Sequence, residues 1–394
     1  MTHAPSPLVF CAPLRYVQGP GVTRRLAAEM RAVGLTGPVL VVAGTSAVAK
    51  LAPEWAAAFA EAGWTHRVLS FGGESSRREV AAIAAEADAL GAAVIVAAGG
   101  GKALDAARAA ATSRRLPFVS CPTVCSTDAP TSALSVIYAD AGPARGTFEA
   151  YEIHPRSPDL VLVDTAVIAT SPPRYLAAGI GDAMSTFYEA RAAAAAERPN
   201  MRGGRCTLAA LELARLCRDV VMEHGAAAVA ACRRGEVSVA LERVVEAATL
   251  LSGLGFESAG LAAAHAVHNG LTAVASTHEL LHGEKVAFGT LVQLMLEAAA
   301  APADGTRHEL VAEAGRVARF LSALELPITL AQVGVEGDAT EVATALVTVA
   351  RRATAAGETI HNMPFPVDAD AVVKALVAAD AVGRLGLATH GGAS

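Results

Sequence analysis

The chain has 394 residues, a formal net charge of −6 at pH 7 and 53% hydrophobic residues, although only 4% of its residues are aromatic. This length allows two domains with full cores. The basic residues are scattered rather than gathered into a stripe, which argues against nucleic-acid binding. No apolar run reaches the roughly twenty residues of a membrane span. We therefore expect neither a nucleic-acid nor a membrane partner.

The cysteines and the N-terminus indicate a cellular compartment. The N-terminal segment lacks the basic-then-apolar order of a signal peptide. The six cysteines include no Cys-x-x-Cys pair, so we expect reduced, buried thiols in a cytoplasmic protein. They are Cys11, Cys121, Cys125, Cys206, Cys217 and Cys232.

Short β-branched runs alternate with Ala-rich helical stretches over the first 165 residues. This alternation predicts an α/β, Rossmann-like domain with a mostly parallel sheet covered on both faces. Amphipathic segments such as Ser76–Leu90 and Leu104–Thr112 are the expected helices. The expected strands are Val39–Ala43, Arg67–Phe71, Ala93–Ala97, Phe118–Cys121 and Leu160–Val163.

The pattern changes after Ser171-Pro172-Pro173. From there to the C-terminus long Ala/Leu/Glu stretches with helical periodicity dominate, and β-branched runs nearly vanish. We therefore place one domain boundary near residue 170. Residues 1–170 form the expected α/β domain, and residues 171–394 form an all-α domain.

Four of the eleven histidines fall within one stretch of eighteen residues: His265, His268, His278 and His282. Imidazole is the commonest neutral metal ligand near physiological pH, whereas a single buried histidine is usually satisfied by packing. Asn269-Gly270 interrupts the helical pattern between two pairs. The cluster predicts a metal held between helices, with a carboxylate ligand supplied by another segment.

A glycine-rich turn, Gly99-Gly100-Gly101-Lys102, joins the strand Ala93–Ala97 to a helix that contains Asp105. Glycines at such a turn let the backbone approach a phosphate, and the helix N-terminus adds N–H donors. The turn is neither the GxGxxG fingerprint nor a P-loop. Lys102 favours a pyrophosphate site over a plain turn.

Two further segments leave their roles open. The hydroxyl-rich loop TVCSTDAPTS, Thr123–Ser132, fits an ordinary polar turn as well as a cofactor- and polyol-binding loop at the carboxyl end of a strand. Asp182 follows Gly179-Ile180-Gly181 and precedes a helical pattern. Its local sequence favours helix capping over metal ligation.

The segments GGGKALDAAR, CSTDAPTSALSVIY, GIGDAMSTFYEA, GLAAAHAVHNG, HGEKVAFGTL and GETIHNMPFPV together resemble the glycerol dehydrogenase family. That family is the zinc-dependent branch of the iron-containing alcohol dehydrogenase superfamily. The resemblance runs in matching order from RYVQGPG to HNMPFPV, nearly the whole chain. It implies the dehydroquinate-synthase-like, or group III alcohol dehydrogenase, architecture, with a dinucleotide-binding domain followed by a metal- and substrate-binding domain.

The resemblance implies that Asp182, His265 and His282 are the metal ligands. His268 would line the site without ligating, and His278 would be structural or exposed. In the iron-binding branch a further histidine ligand follows the aspartate by four residues, and here that position is Thr186. Three protein ligands leave an open position, as in a catalytic zinc site, so we expect Zn²⁺ rather than iron.

The resemblance also implies contacts to the substrate and to a nicotinamide cofactor. Asp128 would hydrogen-bond the substrate hydroxyls, Phe256 would pack against the substrate, and His268 completes the catalytic candidates. The cofactor candidates are Gly44, Gly100, Gly101, Lys102, Asp105, Thr123, Ser126, Ser132, Leu134 and Tyr138.

One position departs from the family pattern. Family members usually carry an acidic residue after the first strand, where it binds the adenosine ribose, but here Gly44 and Thr45 follow VLVVA. A carboxylate there favours NAD and repels a 2′-phosphate. Its absence weakens the expected preference for NAD and leaves NADP open.

We expect a homo-oligomeric, zinc-dependent oxidoreductase that reversibly converts glycerol or a related 1,2-diol to the hydroxyketone. Two alternatives are a reductase of another hydroxyketone and a cofactor-retaining carbocycle synthase, a lyase of the dehydroquinate synthase type. Such synthases carry extra cations to hold a phosphate, whereas only Lys285 lies near the ligand motifs in sequence.

Overall fold

The computed structural model describes residues 6–139 and 146–390, with side chains up to residue 387. Its packing divides the described residues into two compact units. The α/β unit comprises the described parts of Cys11–Leu176, together with Ala230–Leu254. The helical unit comprises the described parts of residues 1–10, 177–229 and 255–394.

Six parallel strands form the sheet of the α/β unit, in the order β1-β8-β5-β4-β2-β3. This confirms the expected fold class. A separate antiparallel pair, β6 and β7, was not among the expected strands. The strands are β1 Tyr16–Gly19, β2 Val39–Ala43, β3 His66–Ser70, β4 Val94–Gly99, β5 Phe118–Pro122, β6 Leu134–Tyr138, β7 Phe148–Ile153 and β8 Leu160–Asp164.

Helices connect the strands and build the helical unit. In chain order they are α1 Leu26–Ala32, α2 Thr45–Ala62, α3 Arg77–Leu90, α4 Gly101–Ser113, α5 Thr165–Ala169, α6 Pro173–Ala195, α7 Leu208–Arg233, α8 Val239–Glu246, α9 Ser252–Ala259, α10 Ala263–Leu271, α11 His282–Ala300, α12 Gly305–Ala323, α13 Ala339–Ala353 and α14 Ala369–His390. A π-helical segment, Ala247–Leu251, joins α8 to α9.

The sheet is covered on both faces, because every position of its central strands β2, β4, β5 and β8 is buried. In β2, Val41 belongs to a core shared with Trp55 of α2, whereas Val42 belongs to a second core shared with Ile83 of α3. Successive side chains of a strand point to opposite faces, so the run VLVVA supplies both cores at once.

The order of the strands creates a switch point between β2 and β4. From β2 the chain adds β3 on one side and then places β4 on the other. Gly44 follows β2 there, and its N–H donates to the carbonyl oxygen of Ala98 in β4 at 3.3 Å. Doubly wound sheets bind their ligands outside the carboxyl ends of strands at such a point.

In the helical unit α10 is buried along its whole length. A helix that is buried on all sides is a core helix, and its polar side chains need partners inside the protein. This requirement applies to His265, His268 and Asn269, all of which lie on α10.

The division into units is not contiguous in sequence, unlike the predicted single boundary near residue 170. After α6 and most of α7, the chain returns to the α/β unit for Ala230–Leu254. Contacts between distant residues hold this segment there. Gln18 Nε2 donates to Glu242 at 2.6 Å, and the hydroxyl of Thr131 donates to the carbonyl oxygen of Thr249 at 3.1 Å.

All six cysteines are free thiols, as expected, but Cys11 and Cys206 are half-buried rather than buried. None of the helices in the described ranges combines the length and apolar character needed to cross a membrane.

Candidate metal centre and cofactor loop

Three side chains of the helical unit converge on one point: Asp182 of α6, His265 of α10 and His282 at the start of α11. One ligand atom from each lies within 4.8 Å of the other two. Asp182 Oδ1 is 3.5 Å from Nε2 of His265 and 3.2 Å from Nε2 of His282. Two imidazoles and a carboxylate fit a catalytic zinc site with an open position.

Glycines next to the ligands let α6 and α11 touch. A Cβ atom on Gly283 would lie 1.9 Å from the carbonyl oxygen of Ala178, and one on Gly181 would lie 2.6 Å from the carbonyl oxygen of Gly283. Each of these glycines is the chain neighbour of a ligand, Asp182 or His282. The close approach of the two helix backbones therefore brings these two ligands together.

Asp182 lies in the middle of α6, so the capping role that its local sequence favoured is wrong. Gly181 serves helix packing rather than a break before the helix. Thr186 follows Asp182 by one turn and is buried. It stands outside the group of three ligands in the described part of the chain.

The charges of the group stabilise one another. Burial by itself raises the pKa of Asp182, but His282 and His265 outweigh it and hold that pKa well below its usual range. Burial lowers the pKa of His265, but the charges of Glu189 and Asp182 outweigh it and raise that pKa well above its usual value. The buried carboxylates thus carry negative charge that protonated histidines or a divalent cation can balance.

Glu189 is a partner of the site that the sequence analysis missed. It is fully buried in α6, and its Oε2 lies 2.6 Å from Nδ1 of His265. The available signal was its spacing from Asp182: seven residues make nearly two helical turns, so both carboxylates lie on one face of α6.

His268 lies beside the three ligands, with its ring centroid 4.1 Å from that of His282. Asn269 donates through Nδ2 to Glu358, so its Oδ1 is the acceptor for Nδ1–H of His268, 3.1 Å away. Burial and the nearby charges of His282 and Lys285 hold the pKa of His268 well below its usual value. His268 is therefore a neutral imidazole whose Nε2 is the acceptor.

His278 is exposed, and its Nε2 contacts the carbonyl oxygen of Thr272 at 3.0 Å. Its position agrees with the prediction that it is structural or exposed rather than a ligand. Lys285 is buried and donates to the carbonyl oxygens of Leu280, at 3.0 Å, and Thr277, at 3.4 Å.

In the α/β unit the glycine-rich turn lies at the switch point of the sheet. Gly100 is the N-cap of α4, which has no side-chain cap and no acidic residue in its first turn. A Cβ atom on Gly101 would lie 3.3 Å from Oγ1 of Thr127, so the helix start packs closely against the loop after β5. An uncapped helix N-terminus with no acidic side chain fits a phosphate.

Lys102 and Tyr138 lie together next to this turn. Lys102 Nζ is 2.8 Å from Oε2 of Glu74 and 5.1 Å from the centroid of the Tyr138 ring. The charge of Lys102 is therefore paired with that of a carboxylate.

The loop after β5 supplies the remaining candidates of this unit. Thr123 N–H donates to the carbonyl oxygen of Gly99 at 3.0 Å, and Ser126 is half-buried in the same loop. Ser132 is 1% exposed, and its hydroxyl has no hydrogen-bond partner within the described ranges. A buried hydroxyl in that state fits a contact with a bound molecule. Leu134, at the start of β6, is buried.

Asp105 is buried in α4 and joins this helix to β6. One carboxylate oxygen contacts Arg108 at 2.8 Å, and the other accepts from Val136 N–H at 3.1 Å. These contacts are structural, although the sequence analysis placed Asp105 among the cofactor candidates.

The two substrate candidates are both buried. Asp128 of the α/β unit accepts a hydrogen bond from the Ser252 hydroxyl at 2.7 Å, which fixes its carboxylate. Phe256 lies on α9 in the helical unit.

Comparison with known proteins relates this arrangement to one family. The family model for iron-containing alcohol dehydrogenase matches residues 13–165. A glycerol dehydrogenase from Pseudomonas putida is 46% identical over 95% of this chain and 97% of its own length. A glycolaldehyde reductase from Halobacterium salinarum is 43% identical over 95% of this chain and 98% of its own length. The crystal structure of glycerol dehydrogenase from Schizosaccharomyces pombe superposes with a TM-score of 0.88 at 36% identity, covering 98% of this chain and 94% of that chain.

A doubly wound parallel sheet with a glycine turn at its switch point, in one chain with a helical unit that carries an Asp-His-His group, defines an oxidoreductase of the iron-containing alcohol dehydrogenase superfamily. Within that superfamily, the chain belongs to the glycerol dehydrogenase family, as the resemblance of its motifs predicted.

Proposed function

We propose that this protein reversibly oxidises a small polyol, glycerol or a related 1,2-diol, to the hydroxyketone, which for glycerol is dihydroxyacetone. The proposal rests on the Asp182–His265–His282 group, whose ligand atoms lie within 4.8 Å of one another. A Pseudomonas putida relative of 46% identity that is named glycerol dehydrogenase supports the substrate class.

When bound, zinc would supply a Lewis acid that stabilises negative charge on a substrate oxygen, and the nicotinamide would supply the hydride acceptor. The protein's own residues bind and orient the substrate. Neutral His268 offers Nε2 as an acceptor for a substrate hydroxyl proton. Asp128, fixed by the hydroxyl of Ser252, remains the candidate acceptor for a hydrogen bond from a substrate hydroxyl. Phe256 excludes water from the apolar face of the substrate.

For the cofactor we propose a nicotinamide dinucleotide whose pyrophosphate binds the Gly100-Gly101 turn at the start of α4. The helix N-terminus without a side-chain cap and the buried Ser132 hydroxyl, which has no hydrogen-bond partner among the described residues, support this site. NAD is the expected cofactor and NADP stays open, because Gly44 offers no carboxylate to the ribose. A cytoplasmic location and a homo-oligomeric state stay predictions from sequence.

The test is a substrate panel with the zinc-loaded protein. Glycerol, other 1,2-diols and the matching hydroxyketones are each supplied with NAD or NADP, and the absorbance of the reduced cofactor is followed. We expect net cofactor reduction with diols. Asp182→Asn should lower turnover on the order of 10³-fold, since a metal contributes several kcal/mol. Unchanged turnover after a chelator has removed the metal would refute the metal's role.

A reductase of a small hydroxyaldehyde or hydroxyketone is the second candidate, because one relative of 43% identity is named glycolaldehyde reductase. The same panel separates the two by the ratio of reductive to oxidative kcat/KM. Substrate turnover without any net change in cofactor absorbance would instead indicate the carbocycle synthase. The ammonium group of Lys285 already binds two backbone carbonyls. This argues against a role for Lys285 in holding the phosphate of a substrate of that class.

A further inference from the structure

The carboxylate of Glu189 makes three contacts at the start of α10. Oε2 lies 2.6 Å from Nδ1 of His265. Oε1 accepts from the backbone N–H of Ala262 at 2.8 Å and from that of His265 at 3.0 Å. Both backbone donors belong to a helix start that has no side-chain cap of its own. Glu189 therefore holds the ring of His265 and the backbone that carries this ring.

This arrangement determines which nitrogen of His265 can bind a metal. A carboxylate only accepts hydrogen bonds, so Nδ1 must carry the proton and Nε2 must hold the lone pair in the neutral ring. Nε2 is the atom that faces Asp182, at 3.5 Å. The lone pair therefore points toward the other two ligands.

Asp182 and Glu189 lie on the same face of α6. Seven residues separate them, which is nearly two turns, so both project from the same side of the helix. Asp182 is 1% exposed and Glu189 is fully buried. Together they contribute two negative charges, which match the charge of a divalent cation.

We propose that Glu189 is a positioning residue for the metal centre: it selects the Nδ1–H tautomer of His265 and fixes the start of α10 so that Nε2 faces the ion. This inference rests on the proposed metal site. Carboxylates that orient a ligating histidine raise its basicity, and their loss typically lowers metal affinity about 10–100-fold.

Glu189→Gln tests the tautomer directly. The two backbone N–H donors keep the amide oxygen of the new side chain at the position of Oε1. Its NH₂ group then faces Nδ1 of His265 and needs an acceptor there. The ring must shift its proton to Nε2, the wrong nitrogen for metal binding. We therefore expect E189Q to fold but to bind zinc about 10–100-fold more weakly than the natural protein.

The experiment measures zinc affinity by competition with a chromophoric chelator, and it records the absorption spectrum of the Co²⁺-loaded protein. Asp380→Asn is the matched control. Asp380 is a buried carboxylate of the same unit that accepts from the N–H of Leu330 at 2.9 Å and pairs with Arg384. D380N should keep the natural zinc affinity and Co²⁺ spectrum, whereas E189Q should change both.

Glu189→Asp keeps the inference testable if E189Q fails to fold. Its shorter carboxylate remains an acceptor but cannot reach the ring and both backbone donors together, so zinc affinity should fall by about tenfold. Natural affinity in a folded E189Q, or in E189D where E189Q does not fold, would overturn the role of Glu189. These measurements use no substrate, so they are independent of polyol oxidation. If D182N bound zinc as well as the natural protein, the metal site itself would be wrong.

Discussion

The hydrogen-bond acceptor that faces Nδ1 differs between the two buried histidines of α10, His265 and His268. Glu189 faces His265 with a charged acceptor, whereas Asn269 faces His268 with a neutral one. The amide of Asn269 is itself oriented by Glu358, at 2.9 Å. Two histidines on the same helix therefore serve different purposes: one is poised to bind a cation, and the other stays neutral as an acceptor.

Asp105 by itself should make the stability of the folded protein depend on pH. Burial raises the pKa of its carboxyl from 3.8 to about 6, although Arg108 opposes this shift. Between these pH values the native state binds more protons than the unfolded state, so the contribution of Asp105 to stability falls as the pH rises. A shift of about two units corresponds to on the order of 3 kcal/mol.

We predict that Asp105→Asn removes this dependence. Both tryptophans, Trp55 and Trp64, lie in the α/β unit, so their fluorescence reports its unfolding in urea. From pH 4 to pH 7 the natural protein should lose on the order of 3 kcal/mol of unfolding free energy relative to D105N. Parallel pH profiles of the two proteins would show that the pKa of Asp105 is not raised.

At the scale of elements, the metal site depends on how closely two helices approach. Gly181 and Gly283 allow the backbones of α6 and α11 to touch, and the ligands Asp182 and His282 follow in the adjacent positions. Gly289 does the same between α11 and α10, where a Cβ atom would lie 2.4 Å from the carbonyl oxygen of Ala264. The three ligand-bearing helices are thus held together at glycines.

We predict that Gly283→Ala forces α6 and α11 apart, because its Cβ would lie 1.9 Å from the backbone oxygen of Ala178. It should cost about 1–3 kcal/mol of stability and weaken zinc binding. Gly315→Ala in α12 is the control, because its Cβ meets only the end of the Arg319 side chain, at 3.5 Å. G315A should gain about 0.5–1 kcal/mol and bind zinc normally. Equal zinc affinity in both variants would show that the close contact between α6 and α11 is not required for zinc binding.

At the scale of the whole molecule, all three metal ligands belong to the helical unit. An ion that binds only the folded protein stabilises it in proportion to the logarithm of its concentration over Kd. Zinc at about one hundred times its Kd should therefore add about 2.7 kcal/mol.

We predict that a chelator lowers the calorimetric Tm by roughly 5–10 °C, since each kcal/mol corresponds to about 2–4 °C for a unit of this size. Asp182→Asn should show the lower Tm with or without zinc. If neither zinc nor chelator changed the Tm of the natural protein, metal binding by the folded state would be refuted.

Local sequence determined most of the elements. Apolar β-branched runs predicted five of the strands of the parallel sheet. The segment Ser76–Leu90 corresponds to α3, which begins where the hydroxyl of Ser76 accepts from Glu79 N–H and ends at Gly91, with φ +63°. Periodicity and caps act within a few residues, so a chain read alone displays them.

The sequence by itself also determined the family and the histidine-rich stretch, because these are matters of residue type and spacing. The tertiary structure alone decided which partners meet. Glu189 and His265 are 76 residues apart in sequence, and Asn269 and Glu358 are 89 apart. It likewise returned Ala230–Leu254 to the α/β unit and placed Asp182 within a helix rather than at its cap. Such contacts form when buried polar groups find partners across the packed core, and no local pattern encodes that choice.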